Sequence, residues 1–267
     1  MRIHAVLACF NRREKTELCM TRLFSQSVSG EVVIGAYVLD DGSSDGTYQM
    51  LRRCFPSVEV LRGNGNLFWA GGMRVAWHAA ARSDPDYFLL LNDDTFLYAD
   101  ALAALLRTAG PPRARRIAVG AIADPRTGLV TYGGVRRVSG LFAPRGKAEP
   151  CDTFNANAVL VPRQVYTEMG GFHPAYTHSM ADYDYGFEAG RAGIEILQTP
   201  AFIGTCSRNS TAGTWCDRSL PRAKRLRLLR EPKGLPLRAW TIYNRRNSGW
   251  RWPLCSVSPY VRVLLGL

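Results

Sequence analysis

From the first residues onward, short apolar runs rich in β-branched side chains alternate with stretches whose apolar positions recur every three or four residues. Residues 3–9 predict a strand, and residues 15–25 predict a helix with Leu18, Leu23 and Phe24 on one side. The pattern then repeats as strand 32–39, helix 45–54 opening at a Ser43-Ser44-Asp45 cap, short strand 58–61, helix 69–81, strand 86–91, helix 99–107 and strand 117–123. Residues 86–91 are almost continuously apolar, as expected of a parallel strand covered on both faces. This alternation predicts an α/β fold: a Rossmann-like, mostly parallel sheet with helices on both faces. Ligands of such sheets bind beyond the carboxyl ends of the strands. Between residues 127 and 150, Gly-rich turns predict a hairpin insertion, followed by a strand at 154–161 and helices at 162–169 and 181–192. After residue 205 the periodicity fades into a stretch rich in Arg, Trp and Pro. The expected boundaries are therefore a body of 1–205, with halves 1–110 and 111–205, and a C-terminal extension of 206–267.

Charge separates the same two parts. Residues 207–267 carry 13 Lys and Arg against Asp217 and Glu231, so nearly all of the net charge of +12 lies in the extension. A polyanionic neighbour of that segment follows, either anionic lipid or nucleic acid. Hydrophobic residues at 46% and charged residues at 21% are ordinary globular values and exclude wholesale disorder. No apolar run approaches the roughly 20 residues of a membrane-spanning helix. The opening apolar run is cut off by Asn11-Arg12-Arg13-Glu14-Lys15 without a cleavage site, unlike a signal peptide. Seven scattered cysteines, none spaced as CxxC, suit reduced thiols in cytosol better than a disulfide frame or zinc site.

Three acidic clusters carry the candidate chemistry. Asp40-Asp41 stands just past a predicted strand, before the small-residue turn Gly42-Ser43-Ser44-Asp45-Gly46-Thr47. Carboxylates there accept hydrogen bonds from a ribose hydroxyl or a base N–H, or else simply cap the following helix. Asn92-Asp93-Asp94 follows the most apolar strand. Two adjacent acids there call for a neutralising cation, with Mg²⁺ or Mn²⁺ held by one or two carboxylates plus substrate phosphates; an exposed loop cap is the plainer alternative. Asp182 and Asp184 fall in the first turn of a predicted helix, where they either complement the helix dipole or supply a general base.

Taken in order, these segments resemble the inverting glycosyltransferases of family 2, which have the GT-A fold. The matching stretches are Ala8-Cys9-Phe10-Asn11-Arg12, Leu39-Asp40-Asp41-Gly42-Ser43-Ser44-Asp45-Gly46-Thr47, Gly63-Asn64-Gly65-Asn66-Leu67-Phe68-Trp69-Ala70-Gly71-Gly72, Leu91-Asn92-Asp93-Asp94 and Ala181-Asp182-Tyr183-Asp184. Five motifs in register across residues 1–205 make the resemblance specific. It implies a nucleotide-sugar-binding half at 1–110 and an acceptor-binding half at 111–205. Asp40, Asp41 and Asn66 are then expected at the donor nucleotide, flanked by Phe10 and Arg12. Asn92 and Asp93 belong to the DXD-type segment, with Asp94 as the direct ligand of Mg²⁺ or Mn²⁺. Asp182 matches the base, and Asp184 and Trp69 support it or touch acceptor. The implied partners are a nucleoside-diphosphate sugar and a glycan or lipid-linked glycan acceptor, in synthesis of bacterial surface polysaccharide such as capsule or O-antigen. Two departures stand out. Ala181 replaces the acid that often precedes the base, and Gly204-Thr205-Cys206-Ser207-Arg208-Asn209 lacks the family's common downstream histidine, leaving Cys206 or Arg208 near the diphosphate. His173 and His178 lie shortly before Asp182, on the acceptor side or on the plain surface.

The extension interleaves Arg and Lys with Trp, Tyr and Leu. That pattern suits either an anionic membrane interface or a helix packing its Leu face on the body. The membrane reading implies a cytoplasmic protein, peripheral on the inner face of the cell membrane. Two rivals are weaker. A nucleic-acid-binding protein acting through the tail lacks any recognisable module, and the acidic clusters oppose a polyanion. A sugar nucleotidyltransferase needs a Gly-rich, basic loop after the first strand, which Ala8-Cys9-Phe10-Asn11 is not.

Overall fold

The computed structural model describes residues 1–267. The chain begins β1 (Arg2–Cys9), α1 (Arg13–Phe24), β2 (Val33–Asp40), α2 (Thr47–Cys54), β3 (Glu59–Arg62), α3 (Phe68–Ala81), β4 (Tyr87–Leu91). It continues with β5 (Phe96–Leu97), α4 (Ala101–Ala109), β6 (Arg116–Ala123), β7 (Val130–Tyr132), β8 (Gly134–Arg136), β9 (Gly140–Leu141), β10 (Glu149–Pro150) and β11 (Thr153–Phe154). Then follow β12 (Ala158–Pro162), α5 (Arg163–Met169), α6 (Ala181–Arg191), β13 (Glu195–Thr205), α7 (Arg222–Arg230), α8 (Leu237–Asn247) and α9 (Trp252–Leu265).

The main sheet runs β10-β13-β6-β12-β4-β1-β2-β3, with β5 on β13 and β7 on β6. Strands β4, β1, β2 and β3 are parallel, as are β6 and β13, while β12 lies antiparallel between β4 and β6. The two-residue period of a strand sends alternate side chains into separate cores. Ile3, Ala5 and Leu7 of β1 enter the layer beneath α1, α2 and α4, whereas Val6 and Ala8 enter the layer beneath α3, α5 and α6. β4 divides likewise: Tyr87, Leu89 and Leu91 on one face, Phe88 and Leu90 on the other, all inaccessible to solvent. Burying each such side chain is worth about 1.5–3 kcal/mol, which is why β4 reads as unbroken apolar sequence. The predicted hairpin insertion supplies β8 and β9, which form a small sheet with β11, while its β7 and β10 pair with β6 and β13 of the main sheet.

Two features differ from the sequence reading. β13, the longest strand, is absent from it. Pro200 cannot donate to a ladder, and register shifts on either side of Phe202 break the simple alternation. The extension, where the periodicity fades, forms three helices rather than the single packed helix weighed from its sequence. Pro221 and Pro236 stand immediately before α7 and α8, and Pro253 lies in the first turn of α9, so each proline marks a helix start rather than a break. Leu229 and Val263 are fully buried among these helices. The buried Arg225 donates from Nε to the Trp215 carbonyl and from Nη2 to the Leu267 carbonyl, both at 2.9 Å. No helix is long and apolar enough to cross a membrane.

Candidate active site

Parallel pairing of β4, β1 and β2 brings their carboxyl ends side by side, so the segments after them converge: Asn92–Asp94, Phe10–Arg12 and Asp40–Asp41. The N-terminus of α6 approaches from the second half of the body. Together they enclose a cavity of about 450 Å³ lined by Phe10, Arg12, Asp41, Trp69, Asn92, Asp93, Asp94 and Asp182. Asp40, Asn66 and Asp184, also singled out by the sequence, do not line it.

Asp93 and Asp94 are both nearly buried, and one guanidinium opposes them. Arg12 Nη1 donates to Asp93 Oδ1 at 3.0 Å and to Asp94 Oδ2 at 2.8 Å. Thr16 Oγ1 donates to Asp93 Oδ2 at 3.4 Å. Burial outweighs Arg12 and pushes the Asp93 carboxyl up to about 6. One cation for two carboxylates leaves a negative charge unbalanced. Beside Asp94, the Cys206 thiol donates to Oδ1 at 3.6 Å, and burial pushes that thiol up to about 12, so it stays protonated at neutral pH. Trp69 Nε1 donates to Asn92 Oδ1 at 2.8 Å, turning the Asn92 amide toward the cavity wall.

The second acidic pair is spent mostly on backbone. Asp41 Oδ1 accepts from Gly65 N at 2.9 Å, and its Oδ2 accepts from Leu67 N at 2.9 Å and Phe68 N at 2.8 Å, which ties the glycine-rich loop and the start of α3 to β2. A carboxylate has about four acceptor positions, so one remains for a ligand. A side chain at Gly63 would put its Cβ 2.3 Å from Asp41 Oδ1, and Gly65 has φ +85°; the loop closes on Asp41 only with glycine at these places. Asp40 is buried, with Oδ1 accepting from Ser43 N at 2.9 Å and Oδ2 unpartnered. Asn66 is exposed and bonds to Asn64. Phe10 stands half-exposed at the rim.

Asp182 sits in the first turn of α6. Its Oδ1 accepts from its neighbour Tyr183 N at 2.9 Å and its Oδ2 from Ala156 N at 3.1 Å, but burial dominates and pushes the carboxyl up to about 6. Met180, the residue before α6, takes φ 71°, a left-handed conformation that non-glycine residues rarely adopt and that concentrates at functional sites. Asp184 points the other way. Its buried carboxylate accepts from Arg246 Nε (3.0 and 2.9 Å) and Asn247 Nδ2 (2.6 Å), while Arg246 Nη2 donates to Glu188 Oε2 at 2.7 Å. Asp184 thus fastens α6 to α8.

Sequence reasoning missed several lining residues. Asn157 ends up beside the acid loop because antiparallel β12 lies against β4, and Lys233, from the turn between α7 and α8, enters the cavity from the extension. Neither carried a motif. His178 lines the cavity, accepts from Trp69 N at 3.5 Å, and burial with nearby Lys233 and Arg12 lowers it to about 4, leaving it neutral.

Residues 5–163, which run from within β1 to the end of β12 and include the loops bearing the first two acidic clusters, match the family described as Glycosyl transferase family 2. The chain belongs to this family. As a family 2 glycosyltransferase it transfers a sugar from a nucleotide-sugar donor. It is 27% identical over 210 residues to the N-acetylglucosaminyl-diphospho-decaprenol L-rhamnosyltransferase of Mycobacterium tuberculosis, in strains CDC 1551 / Oshkosh and H37Rv, covering 67% of this chain and 68% of the relative. Among solved structures it resembles the mannosyltransferase PcManGT from Pyrobaculum calidifontis in complex with GDP-Man and Mn²⁺, with TM-score 0.58 at 15% identity, covering 99% of this chain and 73% of that one. TarS residues 1–349 of S. aureus in complex with UDP gives TM-score 0.56 at 12% identity over 94% of this chain and 73% of that one. At those identities the likeness concerns the fold, which is GT-A.

Proposed function

We propose that this family 2 glycosyltransferase is metal-dependent and inverting, and that it moves a sugar from a nucleoside-diphosphate donor to a hydroxyl of a lipid-linked glycan in bacterial surface polysaccharide synthesis. The observation that carries the reading is the cavity itself. The under-neutralised Asp93–Asp94 pair and a carboxylate of raised basicity, Asp182, line the same space. The pair fits Mg²⁺ or Mn²⁺: its donors are hard carboxylate oxygens, it lacks one countercharge, and such ions complete their shell with substrate phosphates. Asp94 and Asp93 are the residues that would hold the ion, which when bound neutralises charge developing on the nucleoside diphosphate. The solved relative with GDP-Man and Mn²⁺ is consistent with that use.

The remaining work falls to the chain's own residues. Arg12, at the meeting of the two carboxylates and on the cavity wall, would supply a guanidinium to diphosphate oxygens of the donor. Asp41 offers its one free acceptor position to the nucleoside. Asp182 takes the proton from the attacking acceptor hydroxyl, so that attack occurs in one step on the face opposite the leaving diphosphate and inverts the anomeric carbon. Its raised proton affinity makes it a stronger base while it remains largely ionised above pH 6.

A lipid-linked acceptor is supported by the named substrate of the Mycobacterium tuberculosis relative and by the extension. Trp250, Leu254, Val257, Val261 and Leu264 recur at helical spacing along one side of the α9 region and stand exposed, Trp250 by 81% and Leu254 by 67%, with Arg251 and Arg262 exposed beside them. An apolar stripe bordered by cations suits the headgroup region of an anionic bilayer, on the cytoplasmic face where nucleotide sugars are made. A thermal-shift screen of nucleotide sugars with Mn²⁺ tests the donor class, and NMR of the product's anomeric centre tests inversion. Donor stabilisation that persists in excess chelator, or a product of retained configuration, refutes the proposal.

A further inference from the structure

A second cavity, about 590 Å³, lies against the active site and has no part in the chemistry described so far. It is a groove between the segment 173–180 and the extension. Ser179 and Met180 line both cavities, and so does His178; Lys233 lies in one, while its neighbours Pro232 and Gly234 line the other. The wall between them is therefore the segment leading directly into α6 and Asp182. Gly234 sets the turn here, since a Cβ would fall 2.4–2.5 Å from the carbonyl oxygens of Leu228 and Leu229.

The linings differ in kind. Four aspartates line the active-site cavity, but no Asp or Glu lines the groove. Instead Arg230 and Arg238, the last residue of α7 and the second of α8, stand over it, both exposed and neither in an ion pair. The rest of the surface is largely apolar, chiefly Leu235, Pro236, Ile242 and Trp240. Unpaired guanidiniums beside an apolar channel match an amphipathic anion: phosphate groups for the arginines and a hydrocarbon chain for the channel.

We propose that this groove binds the phosphate and the first isoprene units of a polyprenyl-phosphate-linked acceptor, so that its sugar crosses the 178–180 wall and presents a hydroxyl to Asp182. The assignment rests on the lipid-linked reading above and gives the extension a role in substrate selection besides membrane attachment. It accounts for two otherwise separate facts, that the extension is helical and packed, and that it delivers Lys233 into the active-site cavity.

Farnesyl diphosphate is the probe, titrated by calorimetry into the full chain with chelator present, so that metal-bridged binding at Asp93 and Asp94 is absent. Wild type and Asp94→Ala should bind it equally. Arg230→Gln and Arg238→Gln should each weaken binding about tenfold, as loss of one charge-assisted contact to phosphate does, and the double variant more. Both side chains are exposed, so the melting temperatures should not move. Farnesol and inorganic pyrophosphate, each half of the ligand, should bind at least tenfold more weakly than farnesyl diphosphate. Undiminished binding by the double variant overturns the proposal, and pyrophosphate binding as tightly as farnesyl diphosphate overturns the assignment to a lipid. Wild-type hydrolysis of nucleotide sugars with Mn²⁺, measured alongside, reports on the glycosyltransferase reading separately. Its absence would sink that reading, whereas a failed titration with hydrolysis intact sinks only the groove.

Discussion

Replacing Asp182 by Asn separates a general base from a helix cap. In the folded protein the carboxyl is pushed from its ordinary 3.8 up to about 6 by burial, so holding it ionised at pH 7 costs about 3 kcal/mol. The amide of Asp182→Asn carries no charge and would remove that cost. It would also turn an NH₂ group toward one of the two backbone donors, Ala156 N or Tyr183 N, leaving that group unpaired at a cost of about 1–3 kcal/mol. The two effects nearly cancel, and the melting temperature of Asp182→Asn should lie close to wild type. The transfer rate should fall by about 10²–10⁴-fold, roughly 3–5 kcal/mol in the barrier, because the amide cannot take the acceptor proton. The pH profile carries the same signature. Wild-type transfer at saturating metal should be level above pH 7 and decline about tenfold per pH unit below 6, as Asp182 takes up a proton. Stability moves the other way: an acid whose folded value is raised penalises the fold at high pH, and the penalty disappears as pH falls from 6 toward 4. The assay pairs transfer rates from pH 5 to 8 with donor affinity at each pH, so that loss of metal or donor binding is not mistaken for loss of the base. Near-wild-type transfer by Asp182→Asn refutes the assignment. A pH-independent wild-type rate between 5 and 7 does so as well, and a rate loss that tracks a collapse in melting temperature would return Asp182 to a structural role.

Asp94→Ala should abolish transfer and remove the Mn²⁺-dependent part of nucleoside-diphosphate binding, read by calorimetry with and without chelator, while melting temperature changes little because Asp94 is held only by Arg12 and Cys206. Arg246→Met should leave the Asp184 carboxylate buried and unpaired, lowering stability by about 3–5 kcal/mol in denaturant titration, and Asp184→Leu in the same chain should restore much of it. Trp250→Ser with Leu254→Ser should weaken flotation with phosphatidylglycerol vesicles and leave folding unchanged, since both side chains are already exposed. Truncating the extension is the wrong test of membrane binding, because it strips Arg246 from Asp184 and Lys233 from the active-site cavity.

What could be read from sequence was what repeats locally or clusters in a motif. The β1 to β6 alternation, the unbroken apolar run of β4 and the acids after β2 and β4 all depend on neighbours within a few residues, and their order was enough to indicate a GT-A glycosyltransferase. Periodicity failed where tertiary contacts override it. β13 is interrupted by Pro200 and a bulge, yet its outer residues pair with β6 and β5, so only the assembled sheet reveals it. The helices of the extension, 9, 11 and 14 residues long, are too short to be stable alone, and they form because Leu229, Val263 and the Arg246–Asp184 pair dock them. Tertiary structure also sorted acids that looked alike in sequence. Asp182 and Asp184 are two residues apart on one helix turn, and about 100° per residue directs one into the cavity and the other toward α8. Asp40 closes β2 and Asp41 follows it; both are buried, yet only Asp41 lines the cavity. Sequence could name the carboxylates. Which of them meets a ligand depends on side-chain direction relative to packing partners as far as 112 residues away in the chain, and folding alone brings those together.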